Sequence, residues 1–135
     1  MDDINKVFLA GRLTRDPELK KLNGGTSVVE FGMAMNRKYK NKEGEKKEEV
    51  CFIDCRLYGK RAETINKYFK KGKPIMIEGG LRFSSWEEES GKKRSKLRVV
   101  ADKFYFIDTK DSVAKEELEI EEIGETKQDF DNLNI

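Results

Sequence analysis

Hydrophobic and polar residues alternate along much of the first 108 positions, and this period of two predicts β-strands. Phe31, Met33 and Met35, for example, share one parity and therefore one face of a strand. A long polar stretch at 37–49, centred on Gly44, is predicted to be a loop or the exposed ends of a hairpin. The pattern predicts five strands, at 4–13, 26–36, 50–58, 74–85 and 94–107.

One segment has helical spacing instead. Residues 60–71 place Ala62, Ile65 and Tyr68 on one side, and Gly72 follows as a stop signal. Three strands, a helix and two strands is the order of the OB-fold, so we predict an all-β, five-stranded Greek-key barrel with its helix between strands three and four. Gly79-Gly80 favours this barrel over an α+β sandwich of the same order, because strongly curved strands need such kinks.

Composition narrows the classes of function. Charged residues make up 40% of the 135 positions, and no apolar run is long enough for a transmembrane helix. The acidic start of the chain lacks the features of a signal peptide, so we expect a cytoplasmic protein. Two cysteines and no histidine leave no basis for a Cys/His zinc site or a His-dependent triad. No metal or cofactor is therefore predicted.

The net charge of +2 hides a division along the chain. Residues 109–135 carry a charge of −6, and residues 1–108 carry +8. We predict a folded domain at 1–108 that binds a polyanion, followed by a disordered acidic tail at 109–135. The alternatives are that the charge serves only solubility, and that the tail forms a helix docked on the barrel.

The third predicted strand carries the first candidate chemistry. Its odd-numbered residues suit a core: Cys51, Ile53, Cys55 and Leu57. Its even-numbered residues interleave aromatics and charges on the solvent face: Phe52, Asp54, Arg56 and Tyr58. Exposed rings beside cations suit nucleic acids, because the ring stacks on a base while the cation meets a phosphate. The alternative is that these two rings cover a neighbouring subunit or the helix.

Two other aromatic residues also lie among cations. Tyr39 lies in the run Arg-Lys-Tyr-Lys at 37–40, and Trp86, the only tryptophan, shares its strand face with Arg82. Across the next turn, Arg94, Lys96 and Arg98 share one parity. Together these residues indicate a nucleic-acid surface rather than a core.

Competing chemistries have little support in the sequence. Cys51 and Cys55 lie about 13 Å apart along one extended strand, which is too far for a disulfide. Asp54 could join Glu30 or Glu78 in a metal-binding carboxylate cluster that cleaves phosphodiesters, but no spacing argues for it. Gly59-Lys60 lacks the upstream glycine pattern of a P-loop.

Several motifs, in the correct order, resemble those of the bacterial single-stranded DNA-binding proteins. The run INKVFLAGRLTRDPE at 4–18 resembles the family's first strand and turn, and YGKRAE at 58–63 its junction between strand and helix. The runs YFKKG at 68–72 and IEGGLR at 77–82, followed by Trp86, are similar to its helix end and fourth strand. The resemblance covers residues 1–108.

The resemblance implies a homotetramer that wraps single-stranded DNA without sequence preference in replication, recombination and repair, in the bacterial cytoplasm and nucleoid. It implies a binder and not an enzyme. The implied stacking residues are Tyr39, Phe52, Tyr58 and Trp86. The implied phosphate-binding residues are Lys6, Arg12, Lys20, Lys60, Lys71, Arg82 and Arg94. The alternatives are another OB-type module, either an RNA binder or a primosome accessory protein, and the nuclease built on Asp54.

The sequence also departs from the family pattern. Ser84 and Ser85 stand where cations are common in the family. The family's tail usually ends in acidic residues followed by Pro-Phe, which docks replication and repair proteins, and this tail ends without that pair. The residues expected to retain such docking are Asp129, Phe130, Asp131 and Ile135.

Overall fold

Six strands and one helix form from residues 1–107, the part of the chain that the computed structural model describes. None of these residues forms a helix long and apolar enough to cross a membrane. The elements are β1 (Val7–Leu13), β2 (Glu18–Lys21), β3 (Ser27–Lys40), β4 (Lys46–Tyr58), α1 (Lys60–Tyr68), β5 (Pro74–Glu87) and β6 (Lys93–Phe106).

Five of the strands close into a barrel in the order β1-β5-β6-β4-β3. β1 closes the ring, because it pairs antiparallel with β5 along most of its length and with β3 at Arg12 and Leu13. β4 and β6 pair in parallel at Cys55 and Val99. The structure confirms the predicted five-stranded OB-type barrel with its helix between the third and fourth barrel strands. The predicted tail at 109–135 lies outside the described residues.

The structure adds one strand to those predicted and decides between the two alternatives for residues 37–49. The four-residue strand β2 was not predicted, because its polar sequence lacks the alternation that identifies a strand. It pairs with β3 on the same edge as β1, beyond the point where the β1–β3 pairing ends at Leu13. Of the two alternatives for 37–49, the structure has the hairpin. β3 and β4 stay paired out to Lys40 and Lys46, and Arg37 and Glu49 join them through an ion pair of 3.0 Å.

The helix packs its apolar side against the core of the barrel. It ends at Tyr68, three residues before the predicted end, because Phe69 is extended and its ring is fully buried. The Phe69 ring packs on Phe104 and Phe106, with ring centroids 5.7 and 5.1 Å away. The predicted apolar side of the helix is confirmed. Its buried residues are Ala62, Ile65 and Tyr68.

The predicted kink at Gly79-Gly80 is present as a register shift between Glu78 and Gly79. A Cβ atom at Gly79 would lie 2.2 Å from the Val100 carbonyl oxygen, so only glycine allows β6 to approach here. The bulge lets β5 turn around the barrel and continue into a long hairpin with β6.

The two cysteines differ from the prediction. Cys55 is buried, and this burial raises the pKa of its thiol to about 12. Cys51 is exposed, so the prediction that it faces the core was wrong. It keeps the parity of Cys55, but it lies opposite Met35 on the outer half of the β3–β4 hairpin, past the end of the barrel core.

Candidate nucleic-acid interface

Two of the predicted stacking rings lie on the outer surface of β4. Phe52 is 69% exposed and Tyr58 is 45% exposed, whereas Cys55 and Leu57 between them are buried. The alternation of the strand produces this division, because residues of opposite parity point to opposite faces. Both rings are therefore available to a ligand in the described chain.

Trp86 lies on the same outer surface, two strands away. Arg56 of β4 is opposite Val100 of β6, and Val100 is opposite Gly80 of β5. Alternate residues of a strand share one face, so Trp86 lies on the same side of β5 as Gly80. Trp86 is 46% exposed and lies opposite Arg94. We call this outer surface of β4, β6 and β5, with Phe52, Tyr58 and Trp86, the aromatic face.

Tyr39 lies elsewhere. Ala34 of β3 is opposite Phe52, so alternation along the continuous strand puts Tyr39 on the reverse side of the hairpin. The Arg37 guanidinium lies 5.2 Å from the centre of the Tyr39 ring. Open space beside the ring is lined mostly by cations: Lys38, Lys40, Lys46 and Lys47. The structure thus places three of the four rings on one face, and the stacking role of all four stays a prediction.

Four of the seven predicted phosphate-binding residues are connected to the aromatic face by the strand pairings. Arg94 is opposite Trp86, and Arg82 is opposite Arg98. Arg12 is opposite Ala34, which in turn is opposite Phe52. Lys20 of β2 is opposite Val28, which in turn is opposite Tyr58. These four cations thus lie on strands that pair with, or belong to, the strands that carry the rings.

The other three predicted cations lie off the paired strands. The Lys6 ammonium, just before β1, lies 3.5 Å from the Glu78 carboxylate. Lys60 is the first residue of α1. Lys71 follows the helix, and its backbone N–H donates to the Asp16 carboxylate at 2.9 Å. The assignment of all seven cations as phosphate contacts stays a prediction.

A carboxylate lies on the aromatic face, between Phe52 and Tyr58 along β4. Asp54 accepts hydrogen bonds from the Arg15 guanidinium at 3.3 and 3.4 Å and forms an ion pair with Lys96. The hydrogen bond from Lys96 is the largest cause that lowers the pKa of Asp54 below 3.8, and Arg15 adds to it. Asp54 is therefore ionised at neutral pH.

Arg15 was not among the predicted site residues. It lies in the segment between β1 and β2, where no periodicity marks a side chain as facing the rings. Phe83 was also missed as an exposed ring: it is 69% exposed, but it lies on the opposite face of the β5–β6 hairpin from Trp86. Phe83 shares the parity of the buried Ile75 and Ile77, so alternation along β5 predicts a core position for its ring. Only the tertiary structure identifies Phe83 as exposed and Arg15 as a site residue.

The acidic residues considered for a metal-dependent nuclease have cationic partners. Glu30 forms ion pairs with Arg56 and Lys20, at 3.1 and 3.5 Å. Asp54 forms ion pairs with Arg15 and Lys96. Among residues 1–107, no group of three or more Cys, Asp or Glu side chains could hold a metal ion. The expected tail residues Asp129, Phe130, Asp131 and Ile135 lie outside the described part of the chain.

Comparison with known proteins adds an independent observation. Residues 4–107 match the profile of the "Single-strand binding protein family". A "Single-stranded DNA-binding protein" of Wolinella succinogenes is 47% identical over 106 residues, which is 78% of this chain and 65% of the relative. The chain thus spans just under two thirds of that relative's length. A protein of the same name from Aquifex aeolicus is 42% identical over 96% of this chain and 88% of the relative.

Solved structures share the fold. One described as "Plasmodium falciparum SSB complex with ssDNA" superposes with a TM-score of 0.74, covering 80% of this chain and 98% of the other, at 24% identity. Identity at that level supports a common fold alone.

Proposed function

Because this chain belongs to the single-strand binding protein family, we propose that it coats single-stranded DNA without sequence preference and protects it during replication, recombination and repair. The observation that carries this proposal is the aromatic face, which combines exposed Phe52, Tyr58 and Trp86 with cations on paired strands. The name shared by its bacterial relatives supports the same ligand.

The chemistry of the face accounts for binding without sequence preference. Each ring stacks on a base and contributes about 1–3 kcal/mol, whichever base it meets. Cations such as Arg82 and Arg94 meet phosphates, which are the same at every nucleotide. No element of this scheme requires a duplex groove or a particular base edge.

We propose a binder rather than an enzyme. The carboxylates that a nuclease would use are paired with cations, as Asp54 is with Arg15 and Lys96. Incubation of end-labelled single strands with the protein and Mg²⁺ tests this point. We expect the strands to be retained at full length in a complex; shortened strands would favour the nuclease.

A competition experiment distinguishes a DNA-binding protein from an RNA-binding one. A fluorescent oligo-dT bound to the protein is challenged with unlabelled DNA or RNA oligonucleotides of equal length. We expect DNA to displace the probe at lower concentration than RNA. Displacement by RNA at lower concentration would favour the alternative of an RNA-binding OB module.

The proposal includes a homotetramer in the bacterial cytoplasm and nucleoid, in keeping with the bacterial origin of the relatives. Static light scattering of the protein, with and without a long oligo-dT, gives the subunit number directly. A mass of one or two chains in the absence of DNA would contradict the tetramer.

For residues 109–135, we propose that the acidic segment docks replication and repair proteins through Asp129, Phe130, Asp131 and Ile135. The support is the sequence alone, since residues 129–135 combine acidic with apolar side chains. Pull-down from host lysate with the intact chain and with a version that ends at Lys127 tests it. Identical partners for both versions would exclude docking through these four residues.

A further inference from the structure

Asp54 occupies an unusual place for a negative charge in a site for a polyanion. It follows Phe52 by two residues on the same face of β4, so its carboxylate lies beside an exposed ring. A base stacked on that ring brings its phosphate near the carboxylate. The two negative groups then repel each other.

The carboxylate holds two cations from different parts of the chain. Lys96 reaches it from β6, and Arg15 reaches it from the segment after β1. Gly32 of β3 lies directly opposite Asp54, and a Cβ atom there would lie 2.5 Å from an Arg15 guanidinium nitrogen. The bare backbone at Gly32 thus lets Arg15 lie across β3 to reach β4.

These ion pairs are accessible to an exchanging anion. The side chains of Arg15, Lys96 and Asp54 are 46%, 42% and 32% exposed. Ion pairs with such exposure contribute at most about 1 kcal/mol, because water solvates the separated charges well. A phosphate that arrives with the strand can therefore replace the carboxylate as the partner of both cations.

We propose that Asp54 is an internal counter-ion that weakens single-strand binding: it holds Arg15 and Lys96 in the free protein and gives them up to phosphate when a strand binds. This inference rests on the proposed function. It assigns Arg15 and Lys96 as phosphate contacts whose strength is set by Asp54, and it makes Asp54 a residue that limits affinity.

The opposite role would be a scaffold, in which Asp54 orients the two cations for phosphate. The two roles differ in the sign of one measurement. Removal of the carboxylate strengthens binding if Asp54 competes with phosphate, and weakens binding if Asp54 orients Arg15 and Lys96.

The test compares D54N with E63Q, each measured for oligo-dT binding against salt concentration. Glu63 is a matched control, because it forms an ion pair with Lys21 at 3.3 Å but lies on α1, outside the aromatic face. Both variants add one unit of charge. We expect D54N to bind about three- to tenfold more tightly at low salt and E63Q to bind within about twofold of the unmodified chain.

The salt dependence gives a second readout that a merely structural effect does not produce. Each additional phosphate neutralised steepens the slope of log K against log salt by about 0.7 for single strands. We expect D54N to be steeper by about that amount and E63Q to keep the original slope. Equal or weaker binding by D54N, or an equal gain in E63Q, would overturn the proposal.

A double-mutant cycle with Arg15 tests the proposed exchange itself. R15Q should cost more affinity in the D54N background than in the unmodified chain, because Arg15 there no longer has a competing partner. An equal loss in both backgrounds would contradict the exchange. Should D54N unfold, Asp54→Ser removes the same carboxylate. Failure of the unmodified chain to bind oligo-dT at all would contradict the proposed function rather than the role of Asp54.

Discussion

Trp86 lies directly opposite Arg94 across the β5–β6 ladder, and the Arg94 Nε donates a hydrogen bond to Glu88 at 2.7 Å. The pairing sets a ring and a guanidinium side by side on the aromatic face. A base stacked on Trp86 would therefore carry its phosphate past Arg94. This relationship depends on the turn at 88–92, which fixes the register of the hairpin.

Removal of one ring should weaken binding without unfolding the barrel. We expect Phe52→Ala to cost about 1–3 kcal/mol in oligo-dT binding, because a stacked base loses its platform. Phe83→Ala is the matched control: the ring has the same 69% exposure but lies on the other face of its hairpin. Fluorescence anisotropy of a labelled oligonucleotide measures both variants. Equal losses in both would mean that the aromatic face is assigned wrongly.

Binding of the unmodified chain should fall steeply with salt. Each neutralised phosphate lowers the slope of log K against log salt by about 0.7. With Arg12, Lys20, Arg82 and Arg94 connected to the aromatic face, we expect a slope near −2 to −3 from these four alone. Titrations between about 50 and 200 mM salt give the value. Affinity that stays constant over this range would exclude an electrostatic contribution.

The two thiols should react very differently. Burial holds the pKa of Cys55 at about 12, so its thiolate is scarce at pH 8 and the group is also shielded from reagents. Cys51 is exposed. We expect a disulfide reagent to label one thiol per chain rapidly, and the second only on unfolding. Rapid labelling of both would contradict the burial of Cys55; Cys51→Ser, which should abolish the fast reaction, identifies the reactive group.

Acid should remove the contribution of Asp54 to stability. Its pKa is lower in the folded chain than its ordinary value of 3.8, so the carboxylate stabilises the fold above that value and the contribution is lost as pH falls through the lowered pKa. D54N should therefore be slightly less stable than the unmodified chain at pH 7, by less than about 1 kcal/mol because the pairs are exposed. Urea denaturation at pH 7 and in acid measures the difference. A deficit that grows as the pH is lowered would contradict this sign.

Removal of residues 109–135 should raise affinity for DNA modestly at low salt. The segment carries a charge of −6, which competes with phosphates for the basic surface, and salt screens that competition. The comparison is an oligo-dT titration of the two chain lengths at low and high salt. A gain that persists at high salt would indicate a different cause.

Much of the barrel was predictable because its strands alternate. Phe31 and Met33 share a parity and are fully buried, and Phe52 and Tyr58 share the opposite face of their strand and are exposed, as predicted. The strand β2 was not predictable in this way, because Glu18–Lys21 is polar and gains its strand conformation only from pairing with β3.

The contacts between site residues could not be predicted, because the partners come from elements that are distant in sequence. Alternation on β4 identified Asp54 as outward-facing, but its partners come from β6 and from the segment after β1. The contact with Lys96 requires the parallel pairing of β4 with β6, which no local signal specifies. Tyr39 shows the converse: its cationic surroundings were visible in the sequence, and its place on the reverse side of the hairpin was not.

Fluorescence of Trp86 during titration with oligo-dT tests the central claim most directly, because the chain has one tryptophan and it lies on the aromatic face. We predict quenching that saturates as the protein is filled, that reverses at high salt, and that is weaker at equal DNA concentration in Phe52→Ala. Unchanged Trp86 emission, under conditions where anisotropy shows the oligonucleotide fully bound, would contradict the account, because DNA would then bind away from this face.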